Sequence, residues 1–303
     1  MRLARAAPCY RARVTEKTGT TRTAVVLWLA ALVLMLAAAT WQRLSGPTHP
    51  RRGRADVAGQ DVRWRLARSA TSGEPFLVSV PAAPPATGRV RYRRFPTSQP
   101  FAEIEMRREG ASLAALLPTQ PPAGKLEYSL TLLAAGREVR IPEGEPVVMR
   151  FKGDVPALVL IPHVTAMFFS MLIGIRAALA AVLGRPEAKR YAWVTLVGIT
   201  IGGMILGPIV QKYAFGAFWT GWPFGGDLTD NKTAAMWLAW IAVVVVLARR
   251  REPTDRVARV VVAVAAALMI AVYVVPHSLR GSQLDYAKAQ DGAAASEAVT
   301  TGR

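Results

Sequence analysis

Cysteine and histidine are both scarce in this chain of 303 residues. The sequence holds Cys9 and three histidines, His49, His163 and His277. One cysteine excludes an intramolecular disulfide and a thiolate metal cluster. The sequence also lacks an internal repeat and a Gly-rich phosphate loop placed between a strand and a helix. Since no nucleophile and base pair is visible either, we expect the protein not to be an enzyme.

Acidic residues are few relative to basic ones. The chain has 20 Asp and Glu against 38 Lys and Arg, a formal net charge of +18. A basic protein can bind nucleic acid, but much of the excess here flanks apolar runs. Membrane orientation is its simplest cause, so we predict membrane lipid as a partner and expect no nucleic-acid partner.

Long apolar runs dominate the chain, in which 52% of residues are hydrophobic. Five runs have about the length of a spanning helix: 23–41, 157–184, 191–210, 234–248 and 260–275. Run 23–41 ends in three alanines, as a cleaved signal peptide does, but its length favours an uncleaved anchor. The four later runs make up a predicted transmembrane domain over residues 156–277.

Basic segments between the runs predict the orientation. The tail 1–22 and the segments 185–190 and 249–259 are rich in Lys and Arg, and such segments stay in the cytoplasm. The sequence therefore predicts a multi-pass protein of the bacterial inner membrane with its N-terminus inside. Residues 42–155, the segment 211–233 and the tail 278–303 would then lie outside, and the composition of that tail predicts disorder.

Residues 42–155 read as an extracytoplasmic β-domain. Proline and glycine punctuate short alternating runs at 62–68, 76–80, 89–94, 101–107, 112–117, 125–133, 138–141 and 146–151. Strands at this spacing are typical of an immunoglobulin or fibronectin type sandwich. The stretch ALLPTQPPAGKLEYSLTLLAAG resembles the strand, proline turn and Tyr-bearing strand of fibronectin-like domains, a likeness that we place over 55–152. The predicted fold class is a bundle of five transmembrane helices with this all-β sandwich inserted between helices 1 and 2.

The segment 211–233, QKYAFGAFWTGWPFGGDLTDNKT, is unusually aromatic for a connecting loop. Its aromatic residues are Tyr213, Phe215, Phe218, Trp219, Trp222 and Phe224. One interpretation is a belt at the level of the lipid headgroups; the other is a platform on which a flat apolar ligand stacks. Asp227 and Asp230 follow the aromatic residues, and one interpretation of them is a proton or cation site. We favour the alternative, in which Thr229 and Asp230 cap the helix that holds run 234–248.

His163 and His277 flank this segment on its predicted side of the membrane. His163 lies six residues into its run, roughly 9 Å at 1.5 Å per residue. An ionisable residue at that depth is a functional candidate. The structural alternative for His163 is a neutral ring bonded to a carbonyl freed by Pro162, and for His277 an interfacial residue after Pro276. A neutral imidazole is also a good axial ligand for heme iron.

The segments IPHVTAMFFSMLIGIRAAL, YAFGAFWTGWPFGGDLTDNKTAAMWLAWIAVVVVLARR and VPHSLRG follow one another in a familiar order. A histidine, two spans, a tryptophan-rich loop, two spans and a second histidine resemble the cytochrome c assembly, or heme-handling, membrane proteins over residues 157–285. The resemblance implies that heme is the cofactor and that His163 and His277 are iron ligands. It also implies that Phe218, Trp219, Trp222 and Asp227 belong to the heme-binding loop.

Three functional hypotheses follow from the sequence. The first is a protein that binds or handles heme on the outer membrane face, with other cytochrome c assembly subunits as partners. The alternative is a heme-free membrane scaffold whose β-sandwich recruits an extracytoplasmic protein. An ion-translocating unit or enzyme using Asp227, Asp230 and Lys232 is the third.

Overall fold

The computed structural model describes residues 8–250, 255–277, 281–292 and 297–301. Parts of the predicted basic segments 1–22 and 249–259 and of the tail 278–303 lie outside these residues. The described chain forms two compact units. The helical unit is Met1–Gln42, Pro162–Ile205 and Thr233–Val275, and the β unit is Arg43–Ile161, Leu206–Lys232 and Pro276–Arg303.

In the described part of the chain, five helical spans are long and apolar enough to cross a membrane, as the sequence predicts. Their helices are α1 (Pro8–Ser45), α2 (Ala157–Val182), α3 (Glu187–Ile199), α4 (Gly207–Phe215), α5 (Leu228–Arg249) and α6 (Arg256–Val274). A π-helical segment, Thr200–Leu206, joins α3 and α4 into one span. This arrangement indicates a multi-pass membrane protein.

Small residues allow the helices of the helical unit to pack closely. Met171, Trp240 and Met269 are fully buried in its core. A Cβ on Gly198 would lie 2.2 Å from the Ser170 hydroxyl oxygen. Glycine at this position therefore lets α3 approach α2 more closely than any residue with a side chain would.

The β unit contains eleven strands between α1 and α2. These are β1 (Arg51–Val57), β2 (Gln60–Leu66), β3 (Ser69–Thr71), β4 (Phe76–Pro81), β5 (Thr87–Arg94), β6 (Ala102–Glu105), β7 (Arg107–Glu109), β8 (Ser112–Leu117), β9 (Lys125–Ala134), β10 (Arg137–Ile141) and β11 (Val147–Lys152). The largest sheet runs β3-β11-β9-β5-β6, with β10 also on β9. The order β4-β8-β7 makes a second sheet, and β1 pairs with β2.

Alternating apolar side chains build the core of these sheets. Val90, Leu130 and Leu132 are fully buried, and they come from β5 and β9, which pair along the whole length of β5. Each of the eight predicted strand runs overlaps an observed strand. The predicted run 101–107 is divided between β6 and β7, and the sequence did not predict β1 or β3.

The C-terminal segment is ordered where the structure describes it, although its composition predicts disorder. Strand β12 (Ser282–Leu284) pairs with β13 (Val299–Thr301), and α7 (Tyr286–Gln290) follows β12. Leu284, Tyr286 and Ala298 are buried together. These three apolar residues therefore form a small core in a segment otherwise rich in Ala, Gly and charge.

Candidate functional site

The aromatic loop comprises residues 216–227, between α4 and α5. It is shorter than the predicted segment 211–233, because α4 continues to Phe215 and α5 already begins at Leu228. Phe218, Trp222 and Phe224 are 56%, 78% and 83% exposed. Trp219 is half-buried, and its indole N–H donates to the Trp222 carbonyl at 3.1 Å. The loop therefore presents three large apolar side chains on a conformation that is fixed from within.

Asp227 is buried beneath this loop and acts as its tether. Its Oδ1 accepts the backbone N–H of Thr229 at 2.8 Å, which caps α5. Its Oδ2 accepts the Ser282 backbone N–H at 2.9 Å and the Thr220 hydroxyl at 3.2 Å. The favoured capping interpretation assigned this role to Thr229 and Asp230, and the structure places it on Asp227.

Asp230 is the second buried carboxylate and holds the start of the loop. Its Oδ2 accepts the Thr220 backbone N–H at 2.7 Å and the Gln211 side-chain amide at 3.1 Å. Asn231 accepts the Trp222 backbone N–H at 2.6 Å. Two of these three donors are backbone N–H groups of the loop, so Asp230 and Asn231 stabilise the loop that carries the exposed aromatic side chains.

Two basic residues of the β-strands lie opposite each other, Arg150 on β11 and Lys125 on β9, and Arg150 lies beside the end of α4. Arg150 is buried, and its guanidinium carbon is 5.5 Å from the centre of the Phe215 ring. Burial lowers the pKa of Arg150, and the Asp227 carboxylate opposes that shift. Burial, followed by the repulsion of Arg150, lowers the pKa of Lys125 to about 8. Asp227 therefore compensates charge on the β-strands as well as binding the loop.

The C-terminal segment completes this region of the β unit. The Tyr286 hydroxyl bonds both to the Lys125 backbone N–H and to its carbonyl oxygen, each at 2.8 Å. The Lys125 ammonium donates to the Gln283 side-chain oxygen at 2.8 Å. Sequence reasoning missed these residues because their partners lie more than 150 positions away, and no local pattern signals such a contact.

His163 belongs to the helical unit and is half-buried. Its Nδ1 lies 2.9 Å from the carbonyl oxygen of Gly202, within the π-helical segment. A carbonyl only accepts, so Nδ1 carries a proton, and in the neutral ring Nε2 then keeps its lone pair. The structural alternative predicted a hydrogen bond between this ring and a backbone carbonyl. That bond is present, but its carbonyl is that of Gly202 and not one freed by Pro162. A ring fixed in this way is also the usual state of a metal-ligating histidine.

The other predicted site residues lie in the β unit. His277 is exposed after the end of α6, and its neighbour Pro276 accepts the Lys232 ammonium through its carbonyl oxygen at 3.5 Å. Phe218, Trp219, Trp222 and Asp227 share the aromatic loop, Asp227 as a buried tether and the rings nearer the surface. The structure thus brings Phe218, Trp219, Trp222 and Asp227 together in one loop of the β unit, whereas His163 lies in the helical unit.

Among the described residues, no group of three or more His, Cys, Asp or Glu side chains is placed to hold a metal ion. Heme makes no such demand, since its iron takes one or two axial ligands from the protein.

No protein-family model matches the chain, and no curated protein matches it.

Proposed function

We propose that the protein binds heme at the outer face of the bacterial inner membrane, as its resemblance to cytochrome c assembly proteins implies. The observation that carries the proposal is the hydrogen bond between His163 Nδ1 and the Gly202 carbonyl. In the neutral ring this bond leaves Nε2 unprotonated, and it holds the ring in one orientation; an axial ligand needs both properties. Heme, when bound, supplies an iron centre for electron transfer or for delivery to another protein.

The residues of the aromatic loop also suit heme. Phe218, Trp222 and Phe224 expose flat apolar surface, and aromatic rings stack on one another with little loss of side-chain freedom. His277 is exposed and is the proposed second ligand. Asp227 would act indirectly, by holding the loop. In this proposal the β-domain is an immunoglobulin or fibronectin type sandwich, and the N-terminus is cytoplasmic.

An absorption spectrum of the detergent-purified protein with added heme tests the proposal. We expect a Soret band that is lost or shifted in His163→Ala and in His277→Ala. His49→Ala is the matched control, because it removes the remaining histidine of the chain and leaves both proposed ligands in place. His163→Gly with added imidazole should restore the band, since free imidazole takes the vacated ligand position. A folded protein that stays colourless with heme would contradict the proposal.

The alternative function is a heme-free scaffold, and one observation favours it. A shallow apolar pocket of about 120 Å³ in the β unit is lined by residues that include Val57, Val62, Pro84, Pro85 and Ala134. Such a pocket has room for one apolar side chain of an extracytoplasmic protein, for instance a cytochrome c assembly subunit. A photo-crosslinker at Ala83, on the pocket wall, should then trap one partner that a crosslinker at the exposed Leu77 of β4 does not. Equal labelling from both positions would argue against the scaffold.

A further inference from the structure

Four arginines share the exposed face of the β1–β2 hairpin. In its register Arg52 lies opposite Arg65, and Arg54 lies opposite Arg63. All four are exposed, while Val57, Val62 and Leu66 on the other face are buried in the core. Since side chains alternate along a strand, the four guanidinium groups project from one surface, which we call the arginine face.

This arrangement is unfavourable for the isolated hairpin. Residues directly opposite each other have Cβ atoms about 5 Å apart, and like charges in such a position destabilise the pair. The acids of the same face offset this only in part, because the two of them, Asp56 and Asp61, lie opposite each other at the turn end. Within the described residues, the ion pairs include one member of the arginine face, Arg54, whose Nη1 lies 3.2 Å from Asp61.

The residue type and the position in the chain indicate what offsets the repulsion. Every basic residue of β1 and β2 is arginine, whose planar fork binds phosphate oxygens in pairs. Arg51 begins β1 six residues after Ser45, the last residue of α1. Even a fully extended chain of that length spans only about 20 Å. The hairpin is therefore tethered within reach of the membrane surface into which the apolar part of α1 leads.

We propose that the arginine face, formed by Arg52, Arg54, Arg63 and Arg65, binds the phosphate groups of anionic lipid headgroups beside the end of α1. The headgroups would supply the negative charge that the hairpin lacks and would relieve the Arg–Arg repulsion. Basic residues at a membrane surface attract anionic lipids in this way. The proposal is independent of heme binding, and neither result depends on the other.

Hydrogen exchange of the full chain in nanodiscs provides the test. We compare nanodiscs of phosphatidylcholine alone with nanodiscs that also contain phosphatidylglycerol. In the anionic discs, exchange of the amides of β1 and β2 should slow by about fivefold or more, the change expected for one favourable surface arginine. High salt should remove this protection, because it screens exposed charges.

The triple variant Arg52→Gln, Arg63→Gln, Arg65→Gln gives a result of opposite sign. In phosphatidylcholine its hairpin should exchange more slowly than the wild type, because the repulsion is gone, and phosphatidylglycerol should add no protection. A purely structural role for these arginines predicts faster exchange in both lipids and would overturn the proposal. The matched control removes the exposed Arg107, Arg137 and Arg140 of other strands and should keep the wild-type response.

Two further arms separate lipid from other anions. Millimolar inorganic phosphate in phosphatidylcholine discs should leave the exchange unchanged; protection equal to that by phosphatidylglycerol would mean that a free phosphate is bound. Soluble polyglutamate reports on an acidic protein partner. Protection by polyglutamate without protection by phosphatidylglycerol would also overturn the proposal.

Discussion

Ser282 donates its backbone N–H to Oδ2 of Asp227 at 2.9 Å, although 55 positions separate the two residues. The hydroxyl groups of Ser282 and Thr220 approach the same oxygen at 3.3 Å and 3.2 Å. One buried carboxylate oxygen therefore joins the C-terminal segment to the aromatic loop within the β unit. Hydrogen bonds to a buried charge are stronger than those to a neutral acceptor. We therefore expect the Asp227 carboxylate to determine how stable the loop is.

Asp227→Asn should loosen both the loop and the C-terminal segment. The asparagine side chain is neutral and has one oxygen instead of two. Its N–H₂ group must therefore face either the donors bound by Oδ2 or the donor of the α5 cap, at a cost of about 2 to 3 kcal/mol. Hydrogen exchange should become faster in residues 216–227 and 281–284. Asp291→Asn, at an exposed acid of the same C-terminal segment, is the control. Unchanged exchange in both variants would show that Asp227 is not the tether.

Tyr286→Phe should release the C-terminal segment without unfolding the strands. The variant removes a hydroxyl that bonds to both backbone groups of Lys125, a loss of about 1 to 2 kcal/mol. Limited proteolysis should then cleave the C-terminal segment earlier than in the wild type. Tyr213→Phe, at an exposed tyrosine of α4, should cleave at the wild-type rate. Identical rates for all three proteins would contradict this docking role.

Lys125 should make the stability of the β unit depend on alkaline pH. Its pKa is lowered from 10.5 to about 8 in the folded state, so the unfolded chain binds more protons above pH 8. Stability therefore rises with pH in that window, by about 1 to 2 kcal/mol up to pH 10. Above pH 10 the trend reverses, because the folded pKa of Tyr286 is raised to about 12.

Thermal melting of the wild type and of Lys125→Met measures this effect. The melting temperature of the wild type should rise between pH 8 and pH 10, the window set by Lys125 and Tyr286. That of Lys125→Met should rise less over the same window. Parallel curves for the two proteins would assign the pH dependence to other groups.

Gly198→Ala should destabilise the helical unit through a steric clash. The new methyl group would sit 2.2 Å from the Ser170 hydroxyl oxygen, and overpacking of this kind costs about 1 to 3 kcal/mol. Ser170→Ala in the same chain removes that oxygen and should recover part of the loss. Melting temperatures in detergent of the wild type, Gly198→Ala and the double variant measure this effect. A double variant no more stable than Gly198→Ala would show that the strain lies elsewhere.

The parts of the fold that local patterns encode were predictable. Strand β8 has the predicted bounds, because SLAALL is a mostly apolar run between turn residues, and four of its six residues are buried. Strand β1 was missed, because RRGRADV carries three arginines and a glycine and reads as a charged linker. Its strand state comes from pairing with β2, where the Trp64 ring packs against Gly53 so closely that no Cβ fits. Tertiary pairing of this kind overrides local propensity.

The sequence likewise indicated some residues of the candidate site and missed others. The aromatic residues and the two carboxylates stood out in the sequence, since both groups are dense over a few positions. The partner of His163 did not, because the Gly202 carbonyl lies 39 positions away in a π-helical segment that no local periodicity signals. Heme ligation, partner binding and membrane orientation stay predictions.

The bond between Asp227 and Ser282 also sets an order for biosynthesis. Ser282 is made only after α5 and α6, so the ribosome completes two apolar helices before the acceptor under the aromatic loop receives its last donor. During translation the Asp227 carboxylate has only donors from its own neighbourhood. The loop thus reaches its final state after the last helix has been inserted, and a chain released early at α6 would carry an unfinished loop.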